Sequence, residues 1–236
     1  MIAAVAGLAV SGVASAAFTG YTVVSTNVSS GGYNLTRHEL FANFNGPTDT
    51  VLNVFNFAIV PSGSDDPYSV FWHKDNSDYN GGVLSQQYGT WAPNLTGSAT
   101  LNRPFDSYLL IGGNATATNT TNGDPSWNSG GSGVHAGDSR GWNRPDLVNN
   151  GTIGWFNSSP PNNHGRVGVF PNTATQVKLA QFVLSQGRCL PGFSLRLAYN
   201  NGAGGGVVFA DGTYFCPTPG AIALLGLAGL TQRRRR

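Results

Sequence analysis

The sequence predicts an all-β chain, an antiparallel β-sandwich of jelly-roll-like form with long Asn-, Gly- and Thr-rich loops. Three observations carry that expectation. Short β-branched or aromatic runs recur along the chain, each bounded by Gly, Pro, Asn or Ser. No strong helical pattern appears between the two ends. Apolar side chains make up 40% of the 236 residues, including 13 Phe, eight Tyr and five Trp, which is enough for a core.

The predicted strands run in order as Tyr21 to Val28, Leu40 to Phe44, Val51 to Val60, Tyr108 to Ile111, Ile153 to Phe156, Val167 to Phe170, Gln176 to Leu184, Phe193 to Tyr199 and Val207 to Phe215. The run from Val51 is the clearest, yet its alternation is imperfect. A strict period of two puts polar Asn53 on one face with Phe55 and Phe57. In the run from Gln176, Val177, Leu179, Gln181 and Val183 alternate with Lys178, Ala180, Phe182 and Leu184. That pattern suits a strand partly buried on both faces.

The last two strands form a hairpin. Phe193, Leu195, Leu197 and Tyr199 share one face, residues 200–205 (NNGAGG) are turn-rich, and Val207 begins the return. The chain has two cysteines, Cys189 and Cys216, whose midpoint falls inside that turn. An even count in an exported chain predicts a disulfide, here stapling the open end of the hairpin. Closing a loop of about 27 residues stabilises by about 3 to 4 kcal/mol on the chain-entropy view. Two thiols with no histidine nearby are too few for a structural zinc site. The segment from Gly112 to Pro161 is crowded with Asn, Thr, Gly and Ser and reads as long surface loops with short ordered pieces.

Charge narrows the partners. The formal net charge is +2, but four of the 13 basic residues are Arg233, Arg234, Arg235 and Arg236. The remaining nine face 11 acids, so the body is slightly acidic and offers no basic patch for nucleic acid.

The search for chemistry finds no catalytic set, and the chain reads as a non-enzyme. Gly137, Ser139 and Gly141 match G-x-S-x-G, but the Gly-rich flanks supply neither the strand before nor the helix after that a nucleophile elbow needs. A secreted hydrolase acting through Ser139 is therefore the weakest reading. Asp65, Asp66, Asp75 and Asp78 gather oxygen ligands on turns that calcium would accept, although the EF-hand spacing and its bidentate Glu are missing. Asx residues also simply make turns, so no cofactor is assigned. Trp72, Trp91, Trp127, Trp142 and Trp155 are the candidates for sugar stacking in a carbohydrate-binding module, with loop Asn amides to bond hydroxyls. Tryptophans of a small sandwich are more often core.

The ends carry the address. Residues 1–16 are apolar and small and close on Ala14, Ser15 and Ala16, an A-x-A cleavage pattern that reads as a signal peptide for signal peptidase, although the basic n-region is lacking. Residues 217–236 read Pro217, Thr218, Pro219, Gly220, then an apolar run from Ala221 to Leu230, then the arginine cluster. The run is too short to span a bilayer alone, and the arginines favour the cytoplasmic side. This order of parts resembles the PEP-CTERM sorting signal of Gram-negative bacteria, with Thr218 where that motif has Glu. The resemblance covers about 20 residues. It implies transient inner-membrane anchoring, recognition by an exosortase-type membrane protease and removal of the tail. The working domain is then residues 17–216. The resulting expectation is a non-catalytic, exported protein of the cell surface, outer envelope or extracellular matrix, structural or adhesive. The alternative is a carbohydrate-binding module, and extracellular polysaccharide is the partner either reading brings in.

Overall fold

Two antiparallel sheets face each other across one apolar core in the computed structural model, as the strand pattern predicts. The structure describes residues 17–60, 70–74, 82–95, 102–127, 140–147, 153–202 and 205–215. The signal segment, the sorting tail with Pro217 to Gly220 and Arg233 to Arg236, the four Asp candidates for calcium, Ser139 and Cys216 all lie outside the described residues.

Nine strands occur among the described residues: β1 (Phe18–Ser30), β2 (Tyr33–Phe44), β3 (Thr50–Val60), β4 (Tyr108–Leu109), β5 (Thr121–Gly123), β6 (Ile153–Asn157), β7 (Gln176–Ser185), β8 (Gly192–Asn200) and β9 (Val207–Tyr214). One sheet has the order β1-β2-β7-β4 and the other β5-β6-β3-β8-β9. Successive strands β2, β3 and β4 alternate between the sheets, as do β6, β7 and β8, which is the interleaving of a jelly roll. The flanking strands depart from it, because β1 pairs with β2 and β5 with β6 inside a single sheet.

Local chemistry explains these choices. The β1–β2 hairpin closes on Gly31 and Gly32, at φ 57 and 83, the left-handed pair that a two-residue turn requires. The irregular alternation of β3 has a structural cause. Its ladder shifts register between Val51 and Asn53 and again between Phe55 and Ala58, with Asn56 at φ 52. The second bulge puts Phe55 and Phe57 on opposite faces. Phe57 is buried and packs on Phe182 of β7 and Phe193 of β8, so it joins the two sheets. Phe55 turns outward, edge-on to Phe209 of β9, with the Arg196 guanidinium over both rings. Strand β7 is buried on both faces over most of its length, as its double pattern predicts. The expected β8–β9 hairpin forms, its register running from Phe193 opposite Tyr214 to Asn200 opposite Val207.

One expectation is corrected. Val167 to Phe170 does not form a strand; it is a run of turns with a single bridge, Arg166 to Thr50, alongside. Gly168 takes φ 72 there and donates its N–H to the Thr173 carbonyl, which bends the backbone out of a ladder. The described part of the segment from Gly112 holds the short ordered pieces that its composition leaves room for. Thr121 to Gly123 adds a strand to the edge of β6, and Pro125–Trp127 makes a 3-10 turn.

Candidate functional site

The five tryptophans divide sharply. Trp91, Trp127 and Trp155 are fully buried and Trp72 nearly so. Each donates its indole N–H inward: Trp72 to Ser185 Oγ, Trp91 to the Asp146 carbonyl, Trp127 to the Gly154 carbonyl and Trp155 to the Leu110 carbonyl. Rings sealed in the core with their donors spent cannot stack on a sugar, so these four are corrected to core residues. Trp142 is the exception. It is half-buried, and no described residue accepts its indole N–H.

Trp142 floors a polar cleft of about 280 Å³. Its ring lies flat on Trp127, 5.2 Å between centroids and 7° between planes. Gly123 makes this possible, because a Cβ there would sit 2.6 Å from Trp142 Nε1. The segment carrying Trp142 is clamped from below. Its carbonyl accepts N–H groups from Trp91 and Arg144. Arg144, fully buried, pairs with Asp146 at 3.1 Å, and Arg140 reaches the same carboxylate at 3.6 Å. The Pro145 carbonyl faces His73 Nε2 at 3.0 Å. The walls of the cleft come from Asn94 and from the 119–122 stretch leading into β5. Asn119 holds that stretch in place, donating to the Gly112 and Asn114 carbonyls while its own oxygen accepts the Thr121 N–H. The Asn94 amide and the Asn122 amide nitrogen line the cleft and have no partner among the described residues.

A second cavity of about 270 Å³ opens on the outer face of the β2-β7-β4 sheet. Lys178 of β7 stands at its base and donates to Glu39 Oε1 at 2.6 Å, Tyr108 Oη at 3.1 Å and Gln181 Oε1 at 3.1 Å. Glu39 also meets Arg37 at 3.5 Å. Arg103 lines the cavity, together with Asn114 and Asn172. Asn172 spends both amide protons on the His164 and Arg166 carbonyls, which leaves its oxygen as the free acceptor.

One titratable pair lies deeper. His73 Nδ1 is 3.2 Å from Asp106 Oδ1, both side chains are fully buried, and burial pushes the Asp106 carboxyl up against the pull of His73. The Lys74 N–H donates to the same oxygen. With no path to solvent, this pair ties three chain segments together and offers no catalytic surface. Among the described residues no group of three His, Cys, Asp or Glu side chains could hold a metal ion.

Sequence reasoning singled out Trp142 but not Asn94, Asn122 or Gly123, which join it only through folding. It missed the second cavity altogether; the one signal for it was Glu39, the single glutamate of the chain. Comparison of the chain with protein-family models, with curated proteins and with solved structures yields no match.

Proposed function

We propose that this chain is a non-catalytic β-sandwich exported to the cell surface, where it serves an adhesive role by holding extracellular polysaccharide in the Trp142 cleft. One observation carries the binding part of this reading: a half-exposed indole lying flat on a buried one, with unspent Asn94 and Asn122 amides beside it. A flat ring offers the apolar face that a pyranose stacks on, and free amides match hydroxyl groups. The composition of the two ends supports the export part, with an exosortase-type protease as the partner that removes the tail. The hydroxyls that line the cleft are tied to neighbours, Ser158 Oγ to the Thr120 carbonyl and Thr120 Oγ1 to Asn157 Oδ1, and among its described lining residues there is no His, Asp or Glu to activate them, which supports binding over turnover.

Polysaccharide pull-down and calorimetry with the full chain test the binding. Retention on at least one envelope polysaccharide is expected, and Trp142→Ala should weaken it about tenfold or more, the loss of a stacking platform of roughly 1 to 3 kcal/mol. Equal binding by the variant, at unchanged thermal stability, would remove the cleft from the reading.

A further inference from the structure

We propose that the cavity on the β2-β7-β4 face is an anion subsite that takes the carboxylate of a uronic-acid unit, so that the polysaccharide recognised is an acidic one. The proposal rests on the glycan-binding reading for the polymer, but the anion is argued from this cavity alone.

The charges are the first reason. Among the described residues, three charged side chains line the cavity: Glu39, Lys178 and Arg103. Lys178 has all three ammonium protons committed, one of them to Glu39 at 2.6 Å, so these two charges cancel. Arg103 has no acidic partner among the described residues, and it leaves the cavity with one uncompensated positive charge. A guanidinium is weakly hydrated and presents a fork that fits a carboxylate with two parallel hydrogen bonds. The position of Arg103 is also built. Its own carbonyl and that of Asp106 both accept from the buried Gln181 amide of β7, which ties the Arg103–Phe105 turn to the sheet.

The remaining lining suits a sugar ring. The free Asn172 oxygen accepts hydroxyl protons, while Leu110, Ala115 and Pro171 supply apolar wall. The volume, about 270 Å³, falls just under the range of roughly 300 to 1,000 Å³ typical of drug-sized ligands, which fits one monosaccharide unit. One stretch of chain connects this cavity to the Trp142 cleft. The loop from Gly113 to Asn122 lines this cavity with its first residues and the cleft with its last, and Asn119 staples the two parts. A polymer threading past that loop meets an acidic-unit site and a stacking site in turn.

The test titrates the full chain with three probes: polygalacturonate, the same polymer with its carboxyls reduced to alcohols, and monomeric galacturonate. Wild-type protein should prefer the acidic polymer, with affinity falling as salt rises. Arg103→Gln should lower affinity for polygalacturonate and galacturonate about tenfold and leave the reduced polymer unaffected. Glu39→Gln should act in the opposite sense, because removing the carboxylate frees Lys178 for the anion; its affinity for both acidic probes should rise several-fold. Unfolding midpoints of both variants confirm that the fold is kept. Equal binding of acidic and reduced polymer, an Arg103→Gln variant with wild-type affinity, or weaker binding by Glu39→Gln would each overturn the inference while leaving the Trp142 cleft standing. Conversely, Arg103-dependent galacturonate binding in a protein whose polymer binding ignores Trp142→Ala would uphold the anion subsite and sink the cleft.

Discussion

His38 shows how one side chain couples this sheet to pH. It sits on β2, 5% exposed, with its Nδ1 2.8 Å from Ser25 Oγ on β1. Burial is the larger influence on it and lowers its pKa to about 4, against a weaker upward pull from the Arg188 backbone. The unfolded chain binds the proton near pH 6.5, well above the folded one. Between these values the unfolded state holds more protons, so stability contributed by neutral His38 is full above about pH 6.5 and drains as pH falls toward 4. Denaturant unfolding at several pH values should give Glu and Asp terms common to all variants plus this one. His38→Gln should show a smaller stability loss than wild type over that window. An identical slope would mean the imidazole does not govern it. Trp142 and Gly123 teach a related lesson: the aromatic was visible from its type, but its exposure depended on a missing Cβ across the chain.

At the level of elements, the β8–β9 hairpin was the most legible part of the chain. Alternating Phe193, Leu195, Leu197 and Tyr199 are all buried, and the turn falls where the Asn-Gly-rich residues are. The ladder ends at Phe193 opposite Tyr214, four residues after Cys189 and two before Cys216. The two thiols would thus be carried to the same open end, and no free cysteine occurs among the described residues. We propose the Cys189–Cys216 disulfide on this ground. Cys189→Ser should cost about 3 to 4 kcal/mol in oxidising buffer, and a reducing agent should cost wild type the same amount. Stability indifferent to reduction would exclude the bridge. Strands β3 and β5 were less legible, for opposite reasons. Strand β3 has strong β-formers but two bulges, which break the period of two that sequence reading relies on. Strand β5 is Thr121–Gly123, too short and polar to signal itself, and it exists because β6 offers an unpaired edge. Val167 to Phe170 erred the other way: local β-propensity was overruled by Gly168.

For the whole molecule, the sandwich displays its two polar cavities on one loop, and the proposed ends decide where that surface is shown. If an exosortase-type protease reads Pro217 to Arg236, deleting those residues should change the fraction retained at the cell surface, with release into the medium or build-up in the periplasm. Fractionation and blotting of the deletion strain check this; unchanged localisation would set the sorting reading aside.

The division between sequence and structure follows from range. The sequence by itself determined the all-β class, the buried double face of β7 and the last hairpin. Each depends on side-chain period, turn residues or composition within a few neighbouring residues. Only the tertiary structure decided which tryptophan faces outward, that Glu39 neutralises Lys178 from 139 residues away, and that Arg103 is left without an acid among the described residues. Those outcomes depend on which strands become neighbours, and pairing in a sandwich with crossing connections leaves no periodic trace in the chain that makes it.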